Sequence, residues 1–167
     1  SIKEYYSGHD HSGTGIKWGP IMGNAYYRDI VQFSKGEYAD ADNDEDDFAE
    51  IDTFLDIRTD EFGDTIATAS GPGEDSPGAI NMTGVIETQD DIDVFRIETG
   101  GTGDISLTLL TDAYTNLDTH LELLDSGGSV IAEANPADDF EATLGVTNQP
   151  AGVYYIRVEG VGLGTAS

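Results

Sequence analysis

The chain has 167 residues, with 33 acidic against 7 basic side chains, a net charge of −26 and no Cys. With so few basic side chains among so many acids the chain offers no cationic surface with which to displace counterions, which argues against nucleic acid and anionic membranes as partners. The absence of Cys excludes disulfides and zinc–thiolate sites, and no run of about 18 apolar residues offers a membrane span. A charge of this size calls for bound cations, or for external salt that screens repulsion over roughly 8 Å.

Residues 1–60 come first and differ in composition, holding the only Trp, all the Lys and most of the Tyr. They open on "SIKEYYSGHD", with neither Met nor a charged-then-apolar leader, and read as a piece of something longer. In "KWGPIMGNAYY", Lys17–Tyr27, Pro20 keeps Gly19 out of the helical region, so Gly19-Pro20 is expected to turn; Gly23 lets the chain turn again past Met22. Further on, "NDEDDFAEIDTFLDI" places Phe48, Ile51, Phe54 and Leu55 at helical spacing behind acids suited to a helix N-terminus. Residues 61–79 form a Gly/Pro/Ser/acid linker with one candidate short strand at Thr65–Ala69.

From residue 80 the pattern changes to period two. Phe95 and Ile97 alternate with Arg96 and Glu98, Leu121 and Leu123 flank Glu122, and Phe140, Ala142, Leu144 and Val146 alternate with polar residues or Gly. Tyr154, Ile156 and Val158 do the same, and "DSGGS", "NPADD" and "NQPAG" mark turns. Seven or eight such strands from Ile80 to Glu159 predict a mainly β chain: an antiparallel β-sandwich over residues 80–167, preceded by a small irregular or helical segment. A further closing strand is expected beyond "GVGLGTAS", unless Thr65–Ala69 completes the sheet.

Two acidic groupings are candidate calcium sites. Asp40, Asp42, Asp44 and Asp46 alternate as in an oxygen-rich calcium loop, but Glu45 stands where an EF-hand has Gly and Ile51 where it has Glu. A looser calcium site and a solvated helix N-terminus both remain open. Asp91 and Asp93 with Asn116 and Asp118 bracket the starts of two strands, where acids also serve as ordinary turn formers. His120 falls on the polar face of its strand and reads as a surface residue.

"DDIDVFRIETGG", "NLDTHLELLDSGGSVIAEANP" and "PAGVYYIRVEGVG" together resemble the pre-peptidase C-terminal domain, a secreted jelly-roll-type β-sandwich appended to peptidases. The resemblance runs from about Phe62 to Gly164 and implies calcium near the strand starts, at Asp91, Asp93, Asn116 and Asp118. "WGPIMG", followed by "QFSKGEYADADNDEDDFAEI", resembles the end of a reprolysin-like zinc metallopeptidase of the metzincin group. That likeness implies that Met22 belongs to a Met-turn, an apolar floor beneath three zinc-binding His. No H-E-x-x-H occurs in the chain, and "YYSGH" fits a family segment lying between the third ligand and the Met-turn, so His9 and His11 are not ligands.

The resemblance therefore implies a non-catalytic C-terminal fragment of a secreted zinc metalloendopeptidase, inactive alone. Zinc would belong to the parent protein only. Its partners would be an upstream peptidase domain or a second polypeptide, and an extracellular matrix protein or polysaccharide. A stand-alone, calcium-stabilised carbohydrate- or protein-binding module is the alternative. Without its peptidase neighbours, the lobe of residues 1–60 is expected to leave Trp18, Ile21, Met22 and Phe33 exposed or leaning on a partner.

Overall fold

A computed structural model describes residues 6–10, 15–36, 38, 41, 43–71, 78–112, 115, 117–137 and 139–161. The predicted sandwich is present. Its strands are β4 (Ile92–Thr99), β5 (Gly103–Leu109), β6 (Thr119–Leu124), β7 (Val130–Ala134), β8 (Ala142–Gln149) and β9 (Gly152–Gly160). One sheet runs β4-β9-β6-β7 and the other is the pair β5-β8. Every pairing among these strands is antiparallel, and β4 with β9, β5 with β8 and β6 with β7 nest inside one another. Nested pairs of this kind are one long hairpin folded over on itself, the jelly-roll plan.

Alternation puts the core between the sheets. Ile97, Leu121, Leu123 and Tyr154 from the larger sheet meet Ile105, Ala142 and Leu144 from the smaller. Arg96 and Glu98 face solvent as the period-two pattern requires. The β6–β7 turn follows from its residue types. Asp125 Oδ1 accepts from the backbone N–H of Gly127 (2.8 Å) and Ser129 (2.9 Å), and Gly128 takes φ of 84°, a conformation that favours Gly.

Among the described residues six strands form between residues 80 and 160, against the seven or eight expected. Thr65–Ala69 is no strand, because Thr68 closes a turn on Thr65 through its backbone N–H (3.0 Å) and its hydroxyl (3.2 Å). The flanking residues instead dock on the outer edge of β4. Gly63 C=O accepts from Val94 N–H (3.1 Å) and Ser70 C=O from Arg96 N–H (2.8 Å). This explains why Val94, on the face of β4 that also carries the exposed Arg96 and Glu98, is buried.

The lobe ahead of the sandwich contains a small sheet that alternation did not reveal. Strand β1 (His9–Asp10) pairs antiparallel with β2 (Lys17–Pro20), and β2 pairs in parallel with β3 (Ile30–Gln32). Gly19 and Pro20 end β2 instead of turning; a single turn runs from Pro20 to Gly23, closed by Gly23 N–H on Pro20 C=O (3.0 Å). Pro is tolerated at such a strand end because no ladder N–H is demanded of it.

The helix α1 is shorter than its pattern, spanning only Asp47–Asp52. Asp46 starts it by accepting from Phe48 and Ala49 N–H at 3.1 and 3.0 Å. Its last turn carries no basic residue, and Thr53 Oγ1 donates back to Glu50 C=O (2.7 Å). None of its residues is fully buried, and just beyond it Phe54 is 84% exposed.

Candidate metal centre

The start of β4 carries the most strongly perturbed carboxylates among the described residues. Period two turns Asp93 inward with Phe95 and Ile97, leaving it only 3% exposed. Its Oδ1 has no hydrogen-bond partner among the described residues. Gly84 lies directly over the other oxygen, where an added Cβ would come within 2.9 Å of Asp93 Oδ2. Asp91, also buried, closes the preceding turn, accepting from Glu87 N–H through Oδ2 at 2.7 Å.

A second segment brings further acids to the same place. Asp60 Oδ1 accepts from Phe62 N–H (2.8 Å), and the Phe62 ring packs edge-on against Phe95 with centroids 4.8 Å apart. With the Gly63–Val94 hydrogen bond, this anchors residues 60–64 beside β4. Carboxylate oxygens of Asp60, Asp64 and Asp91 then all lie within 4.8 Å of one another. The Glu87 side chain is buried beside Asp91, with Oε1 3.5 Å from Arg58 Nε. Arg58 also pairs with Glu61.

Five carboxylates thus converge where ion pairs supply one guanidinium among the described residues. Burial, reinforced by Asp91, Asp60, Glu87 and Asp64, pushes the Asp93 carboxyl up to about 7. Burial, with the neighbouring Asp91, also raises Glu87, against the opposing pull of Arg58. Only a cation, or a proton on each of the worst-placed groups, relieves such a basin. The donor set is all oxygen and partly buried, and Asp93 Oδ1 and both Glu87 carboxylate oxygens lack a hydrogen-bond donor among the described residues, which suits calcium, with its six to eight oxygen ligands.

The residues singled out from sequence are distributed as follows. Asp91 and Asp93 lie in the basin. Asp118 is buried just before β6, and β9 runs between β6 and β4. Asn116, Asp40 and Asp42 lie outside the described residues. Asp46 caps α1, and Asp44 is exposed beside it. Met22 sits at the tip of the Pro20–Gly23 turn, 69% exposed, with Ile21 and Phe33 also exposed. Trp18 is half-buried against His9 and Tyr38 and hydrogen-bonds Gln32 through its indole N–H.

Sequence reading missed Asp60, Asp64 and Glu87. Asp60 and Asp64 flank the Phe-Gly of "TDEFGDT", and Glu87 stands four residues before Asp91, spacings with no meaning until Phe62 meets Phe95.

Residues 91–160 match the bacterial pre-peptidase C-terminal domain. The match begins at Asp91 of the basin and ends at Gly160, the last residue of β9, so the matched residues span all six strands of the sandwich. Asp60, Asp64 and Glu87 lie before the matched residues, making the basin a junction between this domain and the chain that precedes it. No curated protein matches the chain. No helix among the described residues is long and apolar enough to cross a membrane.

Proposed function

We propose that the chain is the non-catalytic C-terminal part of a secreted, metzincin-type zinc metallopeptidase, in which the pre-peptidase C-terminal domain is an accessory module fastened by calcium. The observation that carries the calcium reading is Asp93, a buried carboxylate with an orphaned oxygen inside a ring of four other acids. The matched domain supports the accessory role, and the order "WGPIMG" then "EDDFAEI" supports a peptidase parent. Exposure of Ile21, Met22 and Phe33 fits an apolar turn that an upstream peptidase domain would cover.

In this reading calcium would be held by Asp60, Asp64, Glu87, Asp91 and Asp93. It would supply no chemistry to a reaction; its role is to neutralise the basin and hold residues 60–64 against β4. Peptide hydrolysis would belong to zinc and a general-base Glu upstream of this chain.

The chain should accordingly show no turnover of casein or gelatin with zinc and calcium added, while a longer protein carrying the upstream segment does. Turnover by the 167 residues alone would overturn the assignment. Specific, calcium-dependent retention on collagen, chitin or cellulose would identify the accessory module's target. If the upstream segment proves to lack an H-E-x-x-H, such retention would instead mark a stand-alone binding module.

A further inference from the structure

The outer face of the larger sheet carries a second polar cluster, remote in chemistry from the all-oxygen basin. The β6 register places His120 opposite Glu159 and Glu122 opposite Arg157 of β9, while Glu122 also stands opposite Glu133 of β7. Five polar side chains therefore share one face across three strands. Glu122 is 7% exposed, and Arg157 bonds it at 2.7 Å and Glu159 at 2.6 Å.

The arrangement at His120 is unusual. Its Nδ1 lies 2.9 Å from Glu159 Oε1. A carboxylate only accepts, so Nδ1 carries the proton and donates it to Glu159. In neutral His120 that leaves Nε2 as a bare lone pair, and it lies 3.6 Å from Glu133 Oε2. Two acceptors face each other, beside a cross-strand pair of like charges, Glu122 and Glu133. Three carboxylates against one guanidinium leave the cluster doubly negative while His120 is neutral. Something positive belongs between Nε2 and Glu133.

We propose that His120 Nε2, Glu133 and Glu122 bind a divalent transition cation of the zinc class. Their ligand atoms lie within 4.8 Å of one another. Two ligands at 2.0–2.2 Å from a tetrahedral ion stand about 3.4 Å apart, close to the distance seen. Glu159 holds the imidazole through its other nitrogen, the second carboxylate that orients a ligating histidine, and Arg157 holds Glu159 in turn. An imidazole nitrogen in the set disfavours calcium and favours zinc. Glu133, two-thirds exposed, is free to swing onto the ion, with water completing its shell.

The test is calorimetric titration of the metal-stripped chain with zinc chloride and separately with calcium chloride, alongside nitrogen NMR of ¹⁵N-histidine-labelled protein. Zinc should move the His120 Nε2 resonance, and His120→Gln and Glu133→Gln should each weaken that binding at least tenfold while leaving the calcium titration unchanged. Asp93→Asn should do the reverse, which separates this site from the calcium basin. Glu133→Gln alters an exposed side chain, so it reports binding even if His120→Gln melts early. Absence of zinc binding, or zinc binding indifferent to both variants, would mean that the cluster is an ion-pair network completed by a histidine proton, and would overturn the proposal.

Discussion

Asp93→Asn should stabilise the calcium-free protein near pH 8 and destabilise the calcium-loaded one. The Asp93 carboxyl is raised from an ordinary 3.8 to about 7 by burial and by its acidic neighbours. A raised folded-state value means that the native state binds the proton more tightly than the unfolded chain does. The associated stability is fully present below about pH 4 and lost as pH rises through 7. Asn keeps the shape and removes the charge, so the chelated variant should melt several degrees above the parent at pH 8 and match it closely at pH 4. In the calcium reading proposed above the sign should reverse, because the ionised carboxylate would be a ligand that the amide replaces poorly. Thermal melts at both pH values, with chelator and with calcium, check this. Destabilisation of the same size under every condition would mean that Asp93 is valued for its packing alone.

Leu123→Ala should be the most damaging single truncation in the sandwich. Leu123 is 0% exposed at the middle of β6, between Ile156 of β9 and Ala132 of β7 and within the core cluster. Truncating such a leucine costs about 2–5 kcal/mol in lost transfer energy and cavity formation. For a domain of this size each kcal/mol lowers Tm by about 4–8 °C, so the drop should exceed about 8 °C. Phe54→Ala, at a larger but exposed side chain after α1, should stay within about 0.5 kcal/mol. Equal losses from the two would place Phe54 in a packed interface and contradict the fold described for that segment.

The sandwich was legible because its information is local. Phe95 and Ile97, Leu121 and Leu123, and Ala142 and Leu144 each announce a buried face within a few residues, and "DSGGS" announces the turn between β6 and β7. What stayed hidden depends on pairing across the chain. Trp18 meets Ile30 in a parallel register that no alternation signals. Glu122 is buried only because β9 brings Arg157 opposite it, and the helical spacing of Phe54 and Leu55 promised a face that the surrounding chain does not cover. The basin was half legible. Asp91 and Asp93 stood out at a strand start, whereas Asp60, Asp64 and Glu87 look like ordinary loop acids until the fold gathers them.

The central claim is that this gathering makes a coordination site and not merely an acidic surface. Melting of the chelated chain, with calcium chloride added in one series and sodium chloride at equal ionic strength in the other, tests it most directly. Calcium at ten times its Kd should stabilise the native state by about 1.4 kcal/mol, a rise of several degrees. Sodium chloride should give much less, because screening supplies no ligand field for Asp93. Superimposable curves in the two salts would contradict the account.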